Sequence, residues 1–279
     1  MMKYKRDCFR IKSLVCLLTA YSALTFGHTA EAEMITVLNH GFEDTSGGNI
    51  FNEFSFGTPA DWELYDPSNV TDGGAGPTYF VGTLEPGLMA DPTLLFTDGA
   101  PEGERMGLAF NFSSSGGEGE YGYFQTLAAT LQANTIYTLT VEIGNIGTGN
   151  VFNFDGFPGY RVDLLAGGTV IAPDINSIGS AQDNNSLGGL IPEAEFATST
   201  VTFQTGATHA QLNQALGIRL VNLNIIDTTN ATTESAELEV DFDNVQLFAE
   251  SAVPEPSGLI LALTAILGVC CYSRKRLFC

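Results

Sequence analysis

Apolar and polar residues alternate without a break over residues 136–143, Ile-Tyr-Thr-Leu-Thr-Val-Glu-Ile. Period two sends Tyr137, Leu139, Val141 and Ile143 to one face and Thr138, Thr140 and Glu142 to the other, which predicts a half-buried strand. Residues 198–203, 218–226 and 238–248 have the same character and are rich in the β-branched side chains that suit a pleated surface. Shorter strand candidates lie at 35–38, 62–65, 79–82, 105–112, 121–127 and 160–165. Gly47-Gly48, Gly73-Gly74, Gly116-Gly117 and Gly167-Gly168 punctuate them as turns. Only residues 208–216 carry the pattern of a short helix. Many strands at this spacing predict an all-β, antiparallel β-sandwich, most simply a jelly roll.

The two ends of the chain read differently. Lys3, Lys5, Arg6, Arg10 and Lys12 precede a largely apolar stretch at 13–26, and Ala30-Glu31-Ala32 supplies small residues for cleavage. Residues 1–32 therefore read as a secretory signal peptide, with a mature start near Glu33. At the other end, residues 259–272 are mostly apolar, roughly 21 Å long as a helix. That falls short of the span of about 20 residues that a hydrocarbon core of about 30 Å usually asks for. Arg274, Lys275 and Arg276 follow and favour a cytoplasmic end. Pro254 and Pro256 hold the preceding Val253-Pro-Glu-Pro-Ser257 extended.

Pro254, Glu255 and Pro256, the apolar run and the basic cluster together resemble the PEP-CTERM sorting signal of bacterial surface proteins. The resemblance implies recognition by an exosortase, transient anchoring of the tail in the inner membrane, and delivery to the cell surface or extracellular matrix. The expected organisation is a signal peptide at 1–32, a β-sandwich domain at 33–252 and a sorting tail with a short transmembrane segment at 253–279.

Cysteine and charge narrow the function of the middle. Cys8, Cys16, Cys270, Cys271 and Cys279 all lie in the terminal segments. The body thus has no disulfide, no cysteine-ligated zinc and no thiol nucleophile. Through Ser257 the body has three basic residues, Arg105, Arg161 and Arg219, against 30 acids, a net charge of −27. Such a surface excludes nucleic acid and anionic membrane as partners. Hydrophobic residues are 44% of the chain, too many for disorder, so the expectation is a domain folded with cations present.

The acids concentrate in one strand. In Glu237-Leu-Glu-Val-Asp-Phe-Asp-Asn-Val-Gln-Leu247, period two places Glu237, Glu239, Asp241 and Asp243 on one face and Leu238, Val240 and Phe242 on the other. Like charges in such a row repel unless water or a cation screens them. Calcium, which takes six to eight oxygens, would suit the row, and so would a solvated acidic face. Asn39-His-Gly-Phe-Glu43 and Val240-Asp-Phe-Asp-Asn-Val245 resemble the opening and closing motifs of carbohydrate-binding-module-like jelly rolls. That resemblance implies adjacent first and last strands and a structural calcium on Glu43 and Asp243.

A wider resemblance rests on Trp62-Glu-Leu-Tyr-Asp-Pro67, Ala100-Pro-Glu-Gly103, Gly156-Phe-Pro-Gly-Tyr-Arg161, Leu164-Leu-Ala-Gly167 and Val240–Val245. Together these resemble the cyanobacterial Stig cyclases, secreted calcium-binding jelly rolls that turn geranylated indole isonitriles into hapalindole-type alkaloids. The family chemistry is an acid-promoted Cope rearrangement followed by cyclisation, with an aspartic acid donating the proton. By motif, Asp241 matches that acid and Tyr121 its catalytic aromatic partner, with Phe157 and Tyr123 as pocket aromatics. An acid of this kind needs an apolar surround away from cations. Asp241 and a calcium ligand at Asp243 are thus compatible only if a bulge or the pocket wall parts them.

Other chemistries find no support in the residues. Beyond the signal, only His40 and His209 remain, with neither Gly-x-Ser-x-Gly nor His-Glu-x-x-His. The Gly-rich stretch 111–120 is acidic and precedes a strand, so it cannot cradle phosphate. Trp62, with Tyr65 nearby, could stack on a sugar ring. The favoured expectation is a surface or matrix protein whose calcium-stabilised jelly roll binds a neutral ligand, carbohydrate foremost. The alternative is a Stig-type cyclase, and the residues leave open whether the chain is an enzyme. Expected partners are an exosortase and a small-molecule or carbohydrate ligand, with a homodimer admitted.

Overall fold

The computed structural model describes residues 32–89, 95–112, 119–147, 154, 157–178, 191–225 and 237–252. The signal-peptide and sorting-tail expectations, including Pro254, Glu255 and Pro256, lie outside the described residues. Two sheets form the domain, within a compact unit Ala32–Glu250. The larger orders β11 (Glu195–Gln204), β8 (Thr135–Asn145), β13 (Leu238–Ser251), β6 (Met106–Asn111), β5 (Tyr79–Leu84), β3 (Phe54–Phe56) and β2 (Asn49–Phe51). β1 (Glu33–Ile35) also pairs with β13, so the first and last strands are neighbours. The smaller sheet orders β10 (Thr169–Ile175), β9 (Tyr160–Ala166), β12 (Ala215–Asn222), β7 (Tyr121–Thr130) and β4 (Glu63–Tyr65). Pairing is antiparallel within both sheets, and the architecture is sandwich-like. No helix among the described residues is long and apolar enough to cross a membrane.

Alternation sets the core. Tyr137, Leu139, Val141 and Ile143 of β8 are buried and Thr138, Thr140 and Glu142 are half-buried, as their pattern predicts. The main core also takes Tyr121, Tyr123 and Leu127 of β7, Val162 and Leu164 of β9, Ile218 and Leu220 of β12, and Val240 and Phe242 of β13. The Tyr123 hydroxyl reaches across to the larger sheet, accepting from the Gly82 N–H (3.0 Å) and facing the Leu108 carbonyl at 2.6 Å.

The other face of the larger sheet is apolar too. Leu84, Met106, Leu108 and Phe110 join Leu95, Phe96, Ile146 and Phe154 in a second cluster. A sheet covered on both faces reads as a near-continuous buried run, and β6 is buried at every position.

Three local expectations need correction. Residues 208–216 form turns leading into β12 rather than a helix. Asn213 sits at φ 65, and its N–H donates to the Leu131 carbonyl while Gln214 O accepts from Leu131 N. These bonds tie the segment to the end of β7 and leave the backbone no helical ladder. β2, β3 and β10 were not among the expected strands. β10 follows the Gly167-Gly168 turn as a hairpin partner of β9 and carries Pro173 on an outer strand, where no missing N–H is felt. Finally, alternation along β13 is not continuous. Asn244 adopts φ 48, and the inward phase passes from Val240 and Phe242 to Val245 and Leu247.

Candidate active site

The second apolar cluster borders a cavity of about 300 Å³. Its walls are Phe51 of β2, Phe54 and Phe56 of β3, Phe80 of β5, Phe110 and Phe112 on or beside β6, and Phe154, with Glu53 and Glu239 the polar members. The rings pack on one another: Phe56 to Phe80 and Phe80 to Phe110 are each 4.9 Å between centroids, and Phe110 to Phe154 is 5.8 Å. Phe51 and Phe112 stand 66% and 54% exposed. A cavity walled this way takes a flat apolar molecule and stabilises positive charge over the ring faces.

Cross-strand register brings an acid into that wall. Glu239 lies opposite Phe110, which lies opposite Phe80. Asp241 lies one rung along, opposite Leu108. Beside it on β8 is Gly144, where an added Cβ would meet the Phe196 ring at 2.6 Å and Asp241 Cβ at 2.9 Å. A larger residue at 144 would thus fill the space that Asp241 and Phe196 occupy.

Glu239 is 2% exposed and Asp241 fully buried. Counted as acceptors only, Glu239 Oε1 and both Asp241 oxygens meet no donor. Burial holds the Glu239 carboxyl up at about 8, with a hydrogen bond to Asp241 opposing the rise and the Glu237 charge adding to it. Burial also holds Asp241 well above the usual carboxylate range, followed by the charge and hydrogen bond of Glu239 and the charge of Asp243. A proton on one of the pair supplies the donor that both lack. At neutral pH this is a buried acid able to give a proton beside an aromatic cavity.

Asp243, next along the strand face, belongs to a different environment. Its Oδ2 accepts from Glu102 N (2.8 Å) and its Oδ1 from Asn244 N (2.7 Å). Glu43 Oε1 accepts from Glu104 N and Arg105 N, each at 2.8 Å. Two glycines make room for these acids. A Cβ at Gly41 would lie 1.7 Å from Glu102 Oε2 and 3.6 Å from Asp243 Oδ1, and one at Gly103 would lie 2.2 Å from Glu43 Oε1. Burial foremost, then the Glu102 and Glu43 charges, raise Asp243 to about 8 against the two backbone hydrogen bonds.

Among the described residues no three acids or histidines converge on a metal-binding point. The donors at this locus are nevertheless all hard carboxylate oxygens, a chemistry that fits calcium. The irregularity at Asn244 falls one residue too late to part Asp241 from Asp243, so the two share a strand face.

The remaining residues singled out from the sequence sit elsewhere in the core. Trp62 stacks on Phe42 at 5.2 Å, and its Nε1 donates to Asn39 O at 3.0 Å, closing the N-terminal motif on itself. Tyr121 is buried edge-on to Tyr79 at 5.9 Å, with its hydroxyl 3.3 Å from Asn222 Nδ2. Phe157 packs 6.4 Å from Tyr160. Neither these nor Tyr123 line the aromatic cavity. Sequence reading missed the cavity itself. The alternating Phe54 and Phe56, facing Phe80 and Phe110 once β3 is recognised as a strand, were the available sign.

Comparison with known proteins gives the site its context. The family model described as HpiC1-like, HpiC1 cyclase, matches residues 33–248. A crystal structure of a cyclase from Fischerella sp. TAU is 37% identical with a TM-score of 0.65, over 80% of this chain and 100% of that one. The Stig cyclase Fisc from the same organism, in complex with (3Z)-3-(1-methyl-2-pyrrolidinylidene)-3H-indole, is 37% identical with a TM-score of 0.64 over the same shares. A third, a Fischerella sp. TAU cyclase in complex with 4-(1H-indol-3-yl)butan-2-one, is 36% identical with a TM-score of 0.64, again over 80% and 100%. No curated protein matches the chain.

These matches overturn the favoured expectation of a carbohydrate-binding surface protein. Its aromatic evidence fails on structural grounds too, because Trp62 is 4% exposed and committed to the core. Matched over almost the whole described domain, the chain belongs to the HpiC1 cyclase family.

Proposed function

We propose that this chain is a Stig-type cyclase that rearranges and cyclises a geranylated indole isonitrile by acid promotion. The observation that carries the reading is the buried acid pair, Glu239 and Asp241, with Glu239 in the wall of a cavity built from phenylalanines. Related cyclases hold indole compounds, which supports an indole substrate here. A proton donor that stays protonated near neutral pH is what such chemistry needs, and low dielectric around the pair supplies it. Tyr121 and Phe157, assigned by motif, would act from the core side of the sheet as supports. In finer detail the sandwich is proposed to be a jelly roll.

The test is direct. The purified protein is incubated with a geranylated indole isonitrile, and products are separated by retention and identified by NMR, since cyclisation leaves mass unchanged. Conversion is expected, and its absence in folded protein rejects the reading for this substrate. The indolyl ketone 4-(1H-indol-3-yl)butan-2-one serves as an unreactive probe for binding alone.

Calcium is proposed at Glu43 and Asp243, with Glu102 beside them, as a structural ion that offsets the mutual repulsion of these acids. Added calcium is expected to raise the melting temperature by several degrees, on the scale of about 2–4 °C per kcal/mol for a domain of this size. Asp243→Asn is expected to abolish that rise. An equal calcium response in Asp243→Asn and wild type would move the ion elsewhere. The chain is further proposed to be exported and processed by an exosortase through its PEP-CTERM-like tail, held in the membrane until then, and to work as a homodimer. Support for export is the signal-like N-terminus and the Pro-Glu-Pro tail.

A further inference from the structure

A flat N–H ring entering the phenylalanine cavity gives up its hydrogen bond to water and needs an acceptor inside. Apart from phenylalanines, the described wall holds Glu53 and Glu239. The Glu239–Asp241 pair keeps a proton at neutral pH, because burial raises both groups, so Glu239 faces a ligand as part of a donor. Glu53 is the acceptor that remains. β6 and β5 lie between its hairpin and β13, so Glu53 and Glu239 approach the cavity from opposite sides.

The fold fixes Glu53 and leaves its carboxyl without a partner. Asn52, at φ 51, and Glu53 make the two-residue turn between β2 and β3. The Glu53 carbonyl accepts from Glu85 N at 2.9 Å, which pins the turn to the end of β5. On the face of β3 away from the cavity, Ser55 Oγ lies 2.8 Å from Thr83 Oγ1 and accepts from Thr83 N at 3.0 Å. Arg105 closes this seam, donating to Thr83 Oγ1 at 3.0 Å and to Glu85 Oε2 at 2.5 Å. Arg161 and Arg219, the other cations of the body, are paired with Glu120 and Asp163. No arginine is thus left for Glu53, and no donor among the described residues meets its side chain.

We propose that Glu53 is a substrate-binding residue that accepts the indole N–H and so fixes which way the ring lies in the cavity. This rests on the cyclase reading, from which it takes the indole, and adds the group that reads the ring. With the N–H held at the hairpin, the rest of the ligand runs along the phenylalanine faces toward β13 and its acid pair. A carboxylate acceptor also rejects rings whose nitrogen carries no hydrogen, since it would be left desolvated and unpaired.

The test is calorimetry on the full protein with 4-(1H-indol-3-yl)butan-2-one and its N-methyl analogue. In wild type, N-methylation is expected to weaken binding about tenfold. Glu53→Leu is expected to weaken the N–H compound about tenfold and to bind both compounds within about twofold of each other. Glu53→Gln keeps a neutral carbonyl acceptor and is expected to fall between. An N-methyl penalty as large in Glu53→Leu as in wild type, or a wild type that binds neither compound, overturns the proposal. Should Glu53→Leu fail to fold, Glu53→Gln decides, an N-methyl penalty equal to that of wild type being the overturning result.

Failure of the cyclase reading shows separately, in turnover of the geranylated indole isonitrile. No conversion by wild type, with an N-methyl penalty that Glu53→Leu erases, rejects the activity and leaves the contact standing. Conversion by wild type, with a KM in Glu53→Leu within about twofold of its own, rejects the contact and leaves the activity standing.

Discussion

Phe110→Ala is expected to destabilise the domain by about 3–5 kcal/mol and to abolish most of the turnover. Phe110 is 5% exposed and joins three rings, Phe80 at 4.9 Å, Phe154 at 5.8 Å and Phe112 at 5.9 Å. It also stands directly opposite Glu239. Removing it opens the cavity wall that shields the acid, so water reaches the carboxyl and its affinity for a proton falls. One substitution therefore removes packing, shape and acidity together. Phe112→Ala is the control, since at 54% exposure it should cost about 1 kcal/mol or less. Thermal unfolding of both variants decides the matter. Equal losses would mean that the rings form a surface patch rather than a supporting wall.

The second large effect is a dependence of stability on pH that runs opposite to the common pattern. Glu239 is held up at about 8 in the folded chain by burial, against about 4.3 for a glutamate in an unfolded one. Between those values the folded state binds more protons than the unfolded state, so stability falls as pH rises. The contribution is complete at low pH and is lost progressively as pH climbs toward 8. At about 1.4 kcal/mol per pKa unit, a rise from about 4.3 to about 8 corresponds to a change on the order of 5 kcal/mol.

The groups facing Glu239 are Asp241 and Glu237 on its own strand and Glu53 across the cavity, with Asp243 further along. All are acids, so none reverses the sign. Urea unfolding of the chelated protein at pH 5, 6.5 and 8 measures it, and Glu239→Gln should flatten the slope. A slope as steep in Glu239→Gln as in wild type would assign the dependence to other carboxylates.

Much of this fold was legible because alternation is a local property. Residues 136–143 could be read as a strand with a known inward face and 121–127 as a strand, and the adjacency of first and last strands was implied by the resemblance that two short motifs carry. The missing strands had no such signature. β2 and β3 are three residues each, too short for a period to register, and β10 contains a proline that argues against a strand until its outer position is known.

The site was legible only in part. The acidic face of β13 could be read, but not which acid meets the cavity, because that depends on the rung each shares with β6 and β5. Register is a relation between segments well over a hundred residues apart in the chain, as Glu239 and Phe110 are, and leaves no mark in either alone. The preference for a sugar-binding surface came from the sorting-like tail, the acidic composition and the carbohydrate-binding-module-like motifs, and the burial of its aromatic candidate, Trp62, against Phe42 is likewise a matter of tertiary packing.

The pairing of Glu33 with Ala249 places the two ends of the domain side by side. β13 lies between β8 and β6, so the last strand synthesised is an interior strand of the larger sheet. A chain stopped before residue 238 lacks that strand, and the sheet cannot close until translation has passed it. Contacts of such long sequence separation slow folding. The same adjacency makes the domain a good subject for circular permutation. A short linker joining the old ends, with new ends cut at the Gly167-Gly168 turn, would leave every strand intact and have β13 synthesised before β1 to β9.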